Sequence, residues 1–117
     1  MKNLISGVVI AFGFLVASVA TLQAAELVMI DARSCSYCAK FRRDVAPTYD
    51  GTALGQVAPL RRVSAQGSWP NDLAGVRRAP FAPVFILVEN GREIGRFAGY
   101  TDAQAFFASL EPLIARL

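Results

Sequence analysis

Two cysteines three apart, Cys35-Ser36-Tyr37-Cys38, stand just behind an apolar run, Leu27-Val28-Met29-Ile30. They are the only cysteines in 117 residues. The run reads as a short buried strand, continuous in apolar residues and carrying β-branched Val28 and Ile30. A helix then opens at Ser34 or Cys35. Cys38, Phe41 and Val45 recur at helical spacing, while Lys40, Arg42, Arg43 and Asp44 take the wet face. The chain is thus held to a strand–turn–helix unit with both thiols at the helix mouth. The free N–H groups and dipole of a helix start stabilise a thiolate, the nucleophilic form of cysteine. So short a loop adds little closure entropy, and a third cysteine for a disulfide framework is missing. The pair therefore reads as chemistry: Cys35, the more exposed, attacks as thiolate, and Cys38, one turn in, resolves the mixed disulfide. The competing readings are an inert surface disulfide and half of a metal site.

The first two dozen residues inflate the 54% hydrophobic content. Met1-Lys2 gives a basic start, Leu4 to Ala20 carries no charge, and Thr21 to Ala25 precedes the first acid, Glu26. This is the layout of a secretory signal peptide, 1–25, leaving a domain over 26–117. Cleavage could follow Ala24 or Ala25, while Ser18-Val19-Ala20 fits the small-x-small rule better. The alternative is an uncleaved anchor, although the apolar run is a little short of the ~20 residues a spanning helix needs. Either way the domain works outside the cytoplasm. Net charge is only +3, one unit of it on Lys2, too weak to argue for nucleic acid.

Pro47 ends or bends the first helix, since it lacks an N–H. Tyr49 to Gln56 is turn-rich, Leu60 to Val63 is a weaker strand, and Ser64 to Asp72 is a polar loop holding Trp69. Leu73 to Val76 fits a short helix. Val84 to Val88 is a strong strand, and Asn90-Gly91 signals a tight hairpin to a partner over Glu93 to Ala98. In that partner Ile94 and Phe97 fall on opposite faces unless Gly95 marks a bulge. Thr101-x-x-Gln104 reads as a capping box before a last helix with Phe106, Leu110, Leu113, Ile114 and Leu117 on its stripe, kinked at Pro112. The resulting class is α/β: a mixed central sheet of about four strands with helices on both faces.

That order, with Cys-x-x-Cys at the first helix, resembles the thioredoxin fold over nearly all of Glu26 to Leu117. Gly75-Val76-Arg77-Arg78, a proline, an apolar strand, Asn90-Gly91 and a Gly99-x-Thr101 helix start are similar to the family's second half. Within it, Ala46-Pro47-x-Tyr49, Ala58 to Val63 and Gly91 to Tyr100 resemble the small periplasmic SoxS-type thioredoxins of sulfur-oxidation gene clusters. The resemblance implies a thiol–disulfide oxidoreductase with catalytic Cys35 and Cys38 and no cofactor or metal beyond that redox-active pair. It implies a cis-proline facing the dithiol. Counting back from Asn90-Gly91 favours Pro83 over Pro80, with Ala82 offering backbone groups to the substrate chain. Tyr37, between the cysteines, would shape partner choice. The partners implied are a periplasmic protein with a redox-active cysteine, such as a sulfur carrier, and a membrane thiol donor. The chain is read as a monomer.

Departures bear on mechanism. The buried Asp of thioredoxin falls on Met29; Asp31 lies four before Cys35 and reads more simply as a local cap or turn acceptor than as an acid/base. The chain has no histidine, so the Cys-x-His-Cys activation of strongly oxidising relatives is absent. Arg33 and Arg78 could add positive potential that lowers the Cys35 pKa. Two other functions stay open: a disulfide oxidase or isomerase for secreted proteins, and a copper carrier using both thiolates. The carrier lacks histidine, and its one mature-region thioether, Met29, lies in a strand.

Overall fold

Seven residues, Ala25–Asp31, form the central strand β1, and both of its faces are buried. The computed structural model describes residues 25–117 together with 7 and 10–13. The expected leader otherwise lies outside the described residues. After β1 come α1 (Ser36–Asp44), α2 (Ala46–Tyr49), α3 (Ala53–Val57) and β2 (Leu60–Ser64). A 3-10 turn (Asn71–Leu73), β3 (Val84–Glu89), β4 (Arg92–Ala98) and α4 (Ala103–Ile114) complete the fold. The sheet order is β2-β1-β3-β4, with β1 and β2 parallel and the other pairs antiparallel, the mixed four-stranded sheet expected.

Alternation along β1 builds two cores, because successive side chains in a strand point to opposite faces. Leu27 and Met29 join Phe41, Tyr49, Phe85, Phe106 and Leu110 under the helices. Val28 and Ile30 join Leu73, Val76, Val84 and Ile86 under the segment that holds the 3-10 turn. Phe106 is the hub of the first core. Its ring centroid lies 5.0 Å from Phe41 and from Phe85, and 5.1 Å from Phe107. These are the tilted and edge-to-face distances that aromatic quadrupoles favour.

Pro47 acts as expected. α1 stops at Asp44, and the proline sits in the first turn of α2, where a missing N–H leaves nothing unpaired. The turn-rich stretch that follows contains a helix, α3. Thr52 caps it, its hydroxyl accepting the Gly55 N–H at 3.0 Å. Gly55 is required by close approach: a Cβ there would stand 1.9 Å from the Tyr49 carbonyl oxygen. The short helix expected over Leu73 to Val76 is instead the 3-10 turn, with Leu73 and Val76 both buried.

Asn90 and Gly91 both take positive φ, 52° and 75°, as a primed hairpin turn demands. The register slips between Leu87 and Val88, which face Gly95 and Glu93, so Ile94 is the extra residue of a bulge. The bulge lets Ile94 and Phe97 pack against the same core. The Thr101–Gln104 capping box does not form. Asp102 is the cap, its carboxylate accepting the Ala105 N–H at 2.8 Å, while the Thr101 carbonyl takes a bond from Lys40. The helix starts one residue later because Asp102, not Thr101, takes the extended cap conformation. α4 runs through Pro112 to Ile114, and Leu117 lies beyond it, exposed rather than on the apolar stripe.

Tyr100, buried after β4, donates to Asp44 on α1 at 3.0 Å. Burial and then that bond push its hydroxyl up to about 12, and burial raises Tyr49 in the same direction. An unfolded tyrosine titrates near ~10, so the folded state holds the proton more tightly. The stability this contributes is complete below pH ~10 and is lost as pH rises through the folded value. The thermal midpoint is expected to hold up to about pH 10 and fall above it, and less steeply in Tyr100→Phe. Identical alkaline profiles for the two proteins would remove Tyr100 from this account.

Candidate active site

Cys35 is the N-cap of α1, and its sulfur accepts the Cys38 N–H at 3.0 Å. The cap position is set from both sides. The Cys35 N–H bonds back to Ala32 at 3.4 Å, and its carbonyl accepts from Ala39 at 3.0 Å. The sulfur thus faces the first free donors of the helix, where negative charge is favoured. Cys35 and Cys38 are joined as a disulfide with Cα atoms 5.1 Å apart. Cys35 is half-buried and Cys38 fully buried, so a partner can reach only the first sulfur.

Cys38 belongs to the same apolar core as Phe41, Phe85 and Met29. No charged side chain is buried among the described residues. The Asp31 carboxylate accepts from arginines rather than from a turn N–H. It pairs with Arg42 of α1 and lies 3.8 Å from Arg62 of β2.

A groove of about 360 Å³ opens over the disulfide, lined by Ala32, Ser34, Cys35, Tyr37, Gln66 and Ala82 among others. Tyr37 is 61% exposed at its edge. The Ala82–Pro83 peptide bond is cis, and Ala82 lies in the groove. Pro80 stands in the preceding loop with an ordinary trans bond. The structure therefore gathers Cys35, Tyr37 and Ala82 around one opening, with Pro83 buried behind Ala82. Arg33 and Arg78 do not line it. Arg78 donates to the Ala65 and Gly67 carbonyls and lies over the Trp69 ring, centroid 5.9 Å away. Trp69 itself packs inward, donating to the Leu73 carbonyl at 2.7 Å.

Two residues here are not legible in the sequence: Gln66, which lines the groove from the polar loop after β2, and Phe81, 57% exposed, which precedes Ala82 and lines a neighbouring cleft. Single residues in irregular chain carry no periodicity to read. Met29, the thioether considered as a copper ligand, is fully buried in β1, and no group of three His, Cys, Asp or Glu forms among the described residues. Nor, among those residues, is any helix long and apolar enough to cross a membrane.

A family model described as a thioredoxin-like domain matches residues 18–114. The fold is similar to the crystal structure of the periplasmic thioredoxin SoxS from Paracoccus pantotrophus in its reduced form. The TM-score is 0.74 and identity 33%, over 79% of this chain and 97% of that one. Thioredoxin from Fasciola hepatica is similar in fold alone, at 22% identity and TM-score 0.52, over 80% of this chain and 81% of that one. No curated protein sequence matches.

Proposed function

This chain belongs to the thioredoxin-like family and is a thiol–disulfide oxidoreductase, and on that premise we propose that it works in the periplasm as a reductant of a partner protein's cysteine. The partner proposed is a sulfur carrier of the Sox system, whose active cysteine is trapped in a disulfide or mixed disulfide. A signal peptide over 1–25 would deliver the domain, and a membrane thiol donor would recharge it, since the compartment oxidises free thiols.

The observation that carries the reading is the Cys35 sulfur at the N-cap of α1, on the Cys38 N–H. In the reduced protein that position favours the thiolate. The Cys35 thiolate attacks one sulfur of the partner disulfide and expels the other as thiolate. Cys38, once deprotonated, attacks the Cys35 sulfur and releases the partner's second sulfur. Two electrons pass to the partner, and the Cys35–Cys38 disulfide remains. Tyr37 and Ala82 would contact the partner chain, Pro83 holding Ala82 in place. The backbone of Ala82 has no hydrogen bond among the described residues, leaving it free to pair with an extended segment.

The reduction potential of the Cys35–Cys38 pair tests the direction. Equilibration in dithiothreitol or glutathione buffers should give a value near ~−270 mV, that of a reductant. A value near ~−120 mV would mark an oxidant and move the protein to oxidative folding.

A further inference from the structure

We infer that the partner carries acidic residues around its reacting cysteine, received by two arginine-lined clefts on either side of the disulfide; this rests on the reading of the chain as a reductant of a protein cysteine. The sheet topology collects the cations. β1 and β2 run parallel and end at the same edge, where β3 begins and β4 returns. Cys35 follows β1 at that edge.

The first cleft, about 340 Å³, holds Arg33, Arg42 and Arg62 against a single acid, Asp31, and shares Ala32 with the disulfide groove. The second, about 270 Å³, is lined by Arg77, Arg78 and Arg96 together with Phe81, next in sequence to Ala82 of the groove. Of these cations, Arg96 pairs with Glu93, and Arg42 and Arg62 share the Asp31 carboxylate. Arg78 spends its donors on carbonyls and a ring, so its charge stays uncompensated. Arg33 and Arg77 are exposed and make no ion pair among the described residues.

Three acids lie at the opposite edge, while Asp44, bound to Tyr100, and Asp102, the cap of α4, lie outside both clefts. Glu26 and Asp72 both hold Arg61 there, and Glu89 stands opposite Ala25. The modest net charge of +3 therefore conceals a local excess of arginine in the two clefts beside the dithiol groove. A field of that shape speeds encounter with an acidic surface and rejects a basic one. Open clefts on both sides of Cys35 suit a chain crossing the groove past Tyr37 and Ala82 rather than one small anion.

The test uses the reduced full-length protein and three short peptides. Each carries one cysteine as a 2-thiopyridyl disulfide, flanked by aspartates, serines or lysines. Exchange oxidises the Cys35–Cys38 dithiol and releases peptide thiol and pyridinethione, which is read by absorbance. Each rate is divided by that of the same peptide with dithiothreitol, which cancels the peptide's own reactivity. At low salt the aspartate peptide should exceed the lysine peptide by about tenfold. The ratio should shrink to about twofold in ~1 M salt, where screening acts within ~3 Å. Arg33→Glu with Arg77→Glu should reverse the ratio, and Arg92→Glu, at the far hairpin, should leave it unchanged. A ratio near one at low salt, or a double variant that keeps the original ratio, overturns the inference. If no peptide reacts, the oxidoreductase reading falls and the inference with it.

Discussion

Replacing Cys38 with serine should leave the protein covalently loaded with its partner, and replacing Cys35 should end exchange altogether. Cys38 is fully buried and Cys35 half-buried at the cap, so only Cys35 can meet a partner sulfur. A serine oxygen does not displace a thiolate from sulfur, so Cys38→Ser stops the reaction at the mixed disulfide. Turnover should fall on the order of a thousandfold in either variant, because the two thiols act as a unit. The products differ. Non-reducing electrophoresis of periplasmic extract should show a captured protein, released by dithiothreitol, with Cys38→Ser and none with Cys35→Ser. The chain has no other cysteine to substitute. Wild-type turnover by Cys35→Ser, or an empty Cys38→Ser after exposure to extract, would sink the assignment of roles.

Phe106→Ala is expected to be the most damaging change in the core. Phe106 meets Phe41, Phe85, Phe97 and Phe107 with ring centroids within 5.7 Å, and Tyr49 at 6.0 Å. Truncation removes a whole ring from a site walled by side chains from two strands and three helices, which cannot all close in. The cost should be about 3–5 kcal/mol, the usual range for a buried phenylalanine. Set against a total of about 5–15 kcal/mol for a small domain, that is much of its margin. Urea unfolding would show it as a lower midpoint at unchanged slope. A loss below about 1 kcal/mol would mean that the aromatic cluster is not close-packed.

What the sequence made legible follows from how each feature is encoded. β1, α1 and β3 announce themselves by period and length, and Asn90-Gly91 fixes the hairpin because few other dipeptides accept two positive φ values in a row. That turn supplied the ruler that picked Pro83 over Pro80, and the Ala82–Pro83 bond is cis. The Cys-x-x-Cys pair marks the chemistry because its spacing has no better structural explanation. α3 stayed hidden because five residues with a glycine inside carry no stripe. The cap at Asp102 was misplaced because Thr101 and Asp102 both offer a suitable oxygen, and only backbone geometry decides between them. Asp31 was misread because its partners, Arg42 and Arg62, are eleven and thirty-one positions away, brought close by α1 and by parallel pairing with β2. Gln66 and Phe81 lie in irregular connections, where tertiary placement alone gives them meaning.

The strand order has one consequence for how such a protein can change over generations. Both cores lie on the faces of the sheet, while the opening around Cys35 and the two clefts beside it are lined by Arg33, Gln66 and Phe81 from connections and by Tyr37 from the first turn of α1. None of these four side chains belongs to either core. Selection can therefore rewrite the rim to suit a new client without drawing on the stability of the fold, so staying folded and choosing a client are nearly separable inheritances.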